Sequence, residues 1–154
     1  MKSRAILASL GALLCAAALS LAADANPNMG TWKLNEAKSK FPAGATKNTT
    51  VVYSAAPNDM VKVTVDGVDK DGKAVHNEWT GKFDGKDYPV TGDANADARS
   101  YTKVDANTID LAVKKGGKVT VSGKIVVSAD GKSRTVTTTA AETKATTTAV
   151  YDKQ

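Results

Sequence analysis

From Gly30 to Tyr151 apolar and polar positions alternate in short runs, and turn-forming residues separate the runs. The clearest run spans 60–68, where Val61, Val63 and Val65 interleave with Lys62, Thr64 and Asp66. Successive side chains of a strand point to opposite faces, so this period of two describes a strand with one apolar and one wet face. After Asp69-Lys70-Asp71-Gly72 the pattern resumes: Val75, Asn77, Trp79, Gly81 and Phe83 fall on one face, His76, Glu78, Thr80 and Lys82 on the other. Further runs lie at 30–34, 49–54, 86–91, 100–104, 108–113, 119–127, 135–140 and 146–151.

Three turns punctuate them: Asp84-Gly85 and Asp130-Gly131, whose residue types suit the positive φ of type I′ hairpins, and Gly116-Gly117. Pro89 cannot donate to a ladder and places its strand at an edge, a bulge or a gap. Residues 35–41 read as a helical turn capped by Asn35 and stopped by Pro42.

Eight to ten short strands joined by hairpin-sized connectors, with no crossover helix, exclude a parallel sheet. They predict an all-β fold: an antiparallel up-and-down meander closed into a barrel, with a short N-terminal helical turn. Closure removes the free edges that invite aggregation. The apolar stripes, the odd-numbered valines Val61 and Val119 among them, are expected to share one interior.

The start of the chain changes the compartment. Lys2 and Arg4 precede an apolar stretch from Ala5 to about Leu21 that ends in small residues. This is the layout of a cleavable secretion signal. Residues 1–22 are read as the signal, with a cut as late as 25, and 23–154 as a single domain. The expected location is secreted, in the periplasm. The apolar stretch is at the short end for a spanning helix, so no stable membrane insertion is expected after cleavage. Cys15 is the sole cysteine, and Leu14 stands where a lipoprotein signal wants a small residue, so lipidation is not expected. The formal charge is +5. A cut after residue 22 removes Lys2 and Arg4 and leaves +3; a cut after 25 also removes Asp24 and leaves +4. The lysines are scattered among aspartates, which argues against nucleic acid as a partner. A monomer is expected.

Gly30-Thr31-Trp32-Lys33-Leu34-Asn35 with Ala37-Lys38-Ser39-Lys40, then 84–92 and 105–108, resemble small secreted lipocalin-like (calycin-type) bacterial proteins, mostly uncharacterised. The resemblance implies an up-and-down barrel, Trp32 packed across its closed end, and a cavity for a small apolar molecule. It also implies a basic residue over that tryptophan, for which Lys153 is the nearest candidate.

Catalytic chemistry is not expected. His76, the only histidine, shares a wet face with Glu78, and two ligands do not make a metal site. Asp66, Asp69, Asp71 and Gly72 lack the remaining ligands of a calcium loop and read as turn chemistry. The threonines at 135, 137–139 and 146–148 read as strand formers on a wet face. No cofactor and no metal are expected. Arg99 and Tyr101 share a strand face; if it looks inward they could receive a carboxylate, but burial of an unpaired arginine is costly, so an outward Arg99 is the baseline.

Valine and glycine walls, including Gly81 and Gly123, leave more room than leucine and phenylalanine would. The candidate ligand-binding residues are Val63, Val65, Trp79, Phe83, Arg99, Tyr101, Ile109, Leu111, Val121 and Ile125. The expected function is binding of a small hydrophobic or amphipathic molecule without catalysis. An envelope structural or interaction module without a ligand is the alternative.

Overall fold

The structure, a computed structural model, describes residues 26–154. The signal segment, its cleavage site and Cys15 lie outside the described residues. Ten strands form one closed antiparallel barrel: β1 (Gly30–Leu34), β2 (Lys47–Ala56), β3 (Met60–Val68), β4 (Ala74–Gly81), β5 (Tyr88–Thr91), β6 (Ala98–Lys103), β7 (Thr108–Lys115), β8 (Lys118–Val127), β9 (Ser133–Ala140) and β10 (Thr146–Lys153). Each strand pairs with its sequence neighbours, and β1 closes the ring by pairing with both β2 and β10. No described helix is long and apolar enough to cross a membrane.

The helical turn is shorter than expected, a 3-10 segment at Glu36–Lys38, with the Asn35 side chain accepting from the Lys38 amide. Beyond it the chain stays beside β10: the Lys40 amide donates to the Thr148 carbonyl and the Thr148 amide returns the bond. Residues 35–40 thereby complete the pairing that five-residue β1 begins.

The strand ends define two rims. The lower rim carries residues 26–29, the loops at 57–59, 82–87, 104–107 and 128–132, and the C-terminus. The upper rim carries 35–46 and the loops at 69–73, 92–97, 116–117 and 141–145.

Three turn expectations meet different fates. Gly116 and Gly117, at φ +57° and +75°, make the two-residue hairpin. The Asp69 carboxylate accepts from the amides of Asp71 and Lys73, which is turn chemistry. Asp84-Gly85 is not a tight hairpin: it sits in a wider loop that bridges to Thr102, and Asp84 accepts from the Lys86 amide and the Tyr88 hydroxyl.

The interior stripe needs one correction. Val119 is 44% exposed. The pairing Val113↔Val121 steps to Lys114↔Val119, so Thr120 is an extra residue in β8. Its hydroxyl donates to the Val113 carbonyl. Such a bulge reverses the parity of everything beyond it, and Val119 is turned outward.

Candidate functional site

The lower end of the barrel is packed solid. Trp32 is fully buried, and its indole N–H donates to the Asn28 carbonyl at 2.7 Å, tying residues 26–29 across the rim. The guanidinium of Arg134, at the start of β9, lies 4.7 Å from the Trp32 ring, 4.8 Å from Tyr53 and 5.0 Å from Tyr151. Lys153 also reaches the Trp32 ring, at 5.1 Å, and donates to the Pro27 carbonyl. Trp32 therefore has two cations: Lys153, expected, and Arg134, which the sequence reading missed. Three aromatic faces stabilise a desolvated guanidinium. Burial pushes the Tyr151 phenol up to about 12, Arg134 pulling the other way. Burial, followed by the neighbouring Tyr101 hydroxyl, holds Tyr53 far above the usual tyrosine range.

Above this floor the middle of the barrel is aromatic. Trp79 stacks on Phe83 at 6.2 Å and meets Tyr101 and Tyr88 edge-on at 4.7 and 5.7 Å. Phe83 lies just beyond the end of β4 but still packs onto this cluster. Gly81 does not leave room here: a Cβ would sit 2.5 Å from the Tyr88 ring and 2.6 Å from that of Trp79. Gly123 likewise serves close approach, because a Cβ would collide with the Thr137 carbonyl. Val63, Val65, Ile109 and Ile125 are buried around this layer.

Arg99 points inward, against the outward baseline. It is 8% exposed and donates from Nη1 to the Tyr101 hydroxyl at 3.5 Å and from Nη2 to Asn77 Oδ1 at 3.3 Å. The Arg99 carbonyl accepts from the Trp79 indole at 2.9 Å, which fixes the backbone beneath it. Parity decides the orientation: Arg99 is opposite Tyr88 and Val113 and two residues from buried Tyr101. Burial disfavours its charge, yet Tyr101, Tyr53 and Asp93 together hold the guanidinium above the usual arginine range. Asp93 is on the upper rim, beyond ion-pair distance among the described residues.

The upper half of β7–β10 differs from the rest of the wall. On β7, Ile109 is buried, but Leu111 and Val113, on the same face and closer to the upper rim, are half-buried. On β8, Val127 and Ile125 are buried and Val121 is not. On β9, Arg134 is followed by half-buried Val136, Thr138 and Ala140. On β10, Tyr151 and Ala149 are buried and Thr147 is not. Register confirms that these side chains share the inner face: Val113↔Val121↔Ala140 and Ile125↔Val136↔Ala149. The inner face of these strands is therefore less buried toward the upper rim than that of the opposite side, where Val65, Asn77, Val90 and Ala96 are buried.

The ten candidates thus divide. Val63, Val65, Trp79, Ile109 and Ile125 are packed core, and Phe83 is joined to them through the aromatic cluster. Arg99 and Tyr101 form a polar pair against Asn77. Leu111 and Val121 belong to the half-buried upper wall. Two hollows are present, one of about 540 Å³ at the upper rim between Phe41 and Asp69, the other of about 680 Å³ on the outer face around Leu111, Ser122, Lys124 and Thr137.

His76 sits on the outer surface. Its Nδ1 is 2.6 Å from Asp66 and its Nε2 3.7 Å from Glu78, which itself pairs with Lys62 at 2.8 Å. The hydrogen bond to Asp66 raises the imidazole pKa.

Asn77, though placed on the apolar face, and Arg134, Tyr53 and Tyr151 were not foreseen as site residues. One signal was available: Arg134 has the parity of Val136, and Tyr53 that of Val51.

No protein-family model matches the chain, and no curated protein matches it. Among solved structures it is similar to a redesigned β-barrel, mFAP1, bound to DFHBI, at 13% identity and a TM-score of 0.46, over 82% of this chain and 95% of that one. A second redesigned β-barrel gives 12% identity and 0.46, over 83% and 92%. A third structure, also bound to DFHBI, gives 13% and 0.43, over 85% and 97%.

Proposed function

We propose that this protein is a non-enzymatic binding barrel that takes a small hydrophobic or amphipathic molecule through the upper rim, beside β7–β10. The observation that carries this reading is the exposure gradient. On four neighbouring strands the inner face passes from buried at the lower end to half-buried at the upper, and Leu111, Val113, Val121 and Val136 are left partly wet. Unfilled apolar surface inside a walled space is what a small apolar ligand covers. The basic-then-apolar sequence of residues 1–22 supports export to the periplasm.

Native mass spectrometry of protein purified from its periplasmic fraction, followed by extraction and identification of retained small molecules, tests the reading. A retained molecule of apolar or amphipathic character is expected. Its release by Val121→Trp, which fills the open wall, would place it inside the barrel. A bare protein that also stays silent in thermal-shift screens against apolar compounds would overturn it.

A further inference from the structure

The chain has three arginines, Arg4, Arg99 and Arg134, and the two within the described residues are both buried. No lysine is buried among the described residues, so solubility rests on lysine and arginine is kept for the interior. The buried polar side chains are Asn28, Asn77, Arg99, Ser100 and Arg134, with no carboxylate among them. Two guanidinium charges thus share one barrel without a buried counter-ion. Burial of unpaired charge is strongly unfavourable unless something offsets it.

The offset differs between the two. Arg134 has three aromatic faces within 5.0 Å and lies under the rim closed by Trp32. Its Nε and Nη1 have no hydrogen-bond partner within the described residues. Arg99 has no such stack. Its two hydrogen bonds, at 3.3 and 3.5 Å, are longer than the usual 2.7–3.2 Å range for N–H donors and go to neutral oxygens. Arg99 is also the one beside the half-buried wall: its cross-strand partner is Val113, half-buried on β7.

Resting on the ligand-binding role proposed above, we infer that the ligand carries a carboxylate. Arg99 receives it, with the Tyr101 hydroxyl as a second donor, while its apolar chain lies along the half-buried inner face of β7–β9 at Leu111, Val113, Val121 and Val136. A guanidinium fork matches the planar carboxylate and turns two long neutral contacts into short charge-assisted ones. Arg134 adds positive potential from below without touching the ligand. Asp93, at the rim, acts on the Arg99 charge and opposes the incoming carboxylate.

Calorimetric titration of the whole mature protein with decanoate and with decanol, equal in chain length, tests this. Decanoate is expected to bind at least about tenfold tighter, since a hydrogen bond between charged partners is stronger than a neutral one. Arg99→Met is expected to erase that preference while decanol binding survives. Asp93→Asn, a rim change of equal shape that leaves the barrel wall intact, is expected to tighten decanoate severalfold and leave decanol unchanged. Equal affinity for both probes, or a preference that persists in Arg99→Met, would overturn the carboxylate assignment and leave apolar binding standing. Failure of both probes to bind would overturn the two together.

Discussion

The two ends of this barrel use the same residue type, a buried arginine, in opposite ways. At the lower end Arg134 is enclosed by Trp32, Tyr53 and Tyr151, and residues 26–29 lie across the rim. At the upper end Arg99 keeps two long bonds to Asn77 and Tyr101, beside a wall whose apolar side chains stay partly wet. The packed core is concentrated below, and the half-buried apolar surface lies above. A packed floor tolerates loss of contact badly, whereas an unfilled wall loses little when a side chain is trimmed.

The widest separation is expected from truncation. Trp32→Ala should destabilise the protein by about 3–5 kcal/mol in urea unfolding, as for a fully buried aromatic, while Leu111→Ala should cost less than about 2 kcal/mol because part of its surface already meets water. Equal costs would remove the distinction between the ends.

The arginines sharpen it. Arg134→Met should cost about 1–3 kcal/mol through loss of three ring contacts. Arg99→Met should be neutral or stabilising by up to about 1 kcal/mol, since it relieves a poorly compensated buried charge. Thermal unfolding of the two variants side by side decides this.

The floor also has a signature in alkali. Tyr53 and Tyr151 are raised above the ordinary tyrosine value of 10, Tyr151 to about 12, with burial as the main cause. The native state therefore holds protons that the unfolded chain releases. The stabilising contribution of these two groups is complete below pH 10 and is lost as pH rises from 10 through 12. Ultraviolet difference titration should show early-ionising tyrosines, then a late step that coincides with unfolding.

The smallest effect lies outside the barrel. His76 should titrate above its ordinary value of 6.5 in an NMR pH series, and Asp66→Asn should bring it back down, because the hydrogen bond to Asp66 is the main cause. Its favourable pairing is complete below 6.5 and fades as pH rises through the raised value. Global stability should hardly move with either, since the site is exposed on the outer surface.

Much of the architecture is legible in the residues themselves. Strict alternation in 60–68 specifies β3 to the residue, and Gly116-Gly117 specifies its hairpin, because period two and positive φ are local properties. The interior is harder to read for reasons that are not local. Thr120 flips Val119 outward because a bulge is decided by the pairing of two strands, which one strand does not reveal. Gly81 looks like space, yet Tyr88, seven residues on, fills it. Arg99 and Arg134 were hidden by polarity: hydropathy sends arginine to solvent, whereas parity with Tyr101 and Val136 sends both inward. Where polarity and parity disagreed, parity held.

A methyl-resolved NMR titration of the mature protein with decanoate tests the open upper wall most directly. Shifts should concentrate on Leu111, Val113, Val121 and Val136 and leave Val63 and Val127 in the lower half still. Shifts confined to outward-facing Val119 and Val126, or spread evenly over both ends, would contradict it.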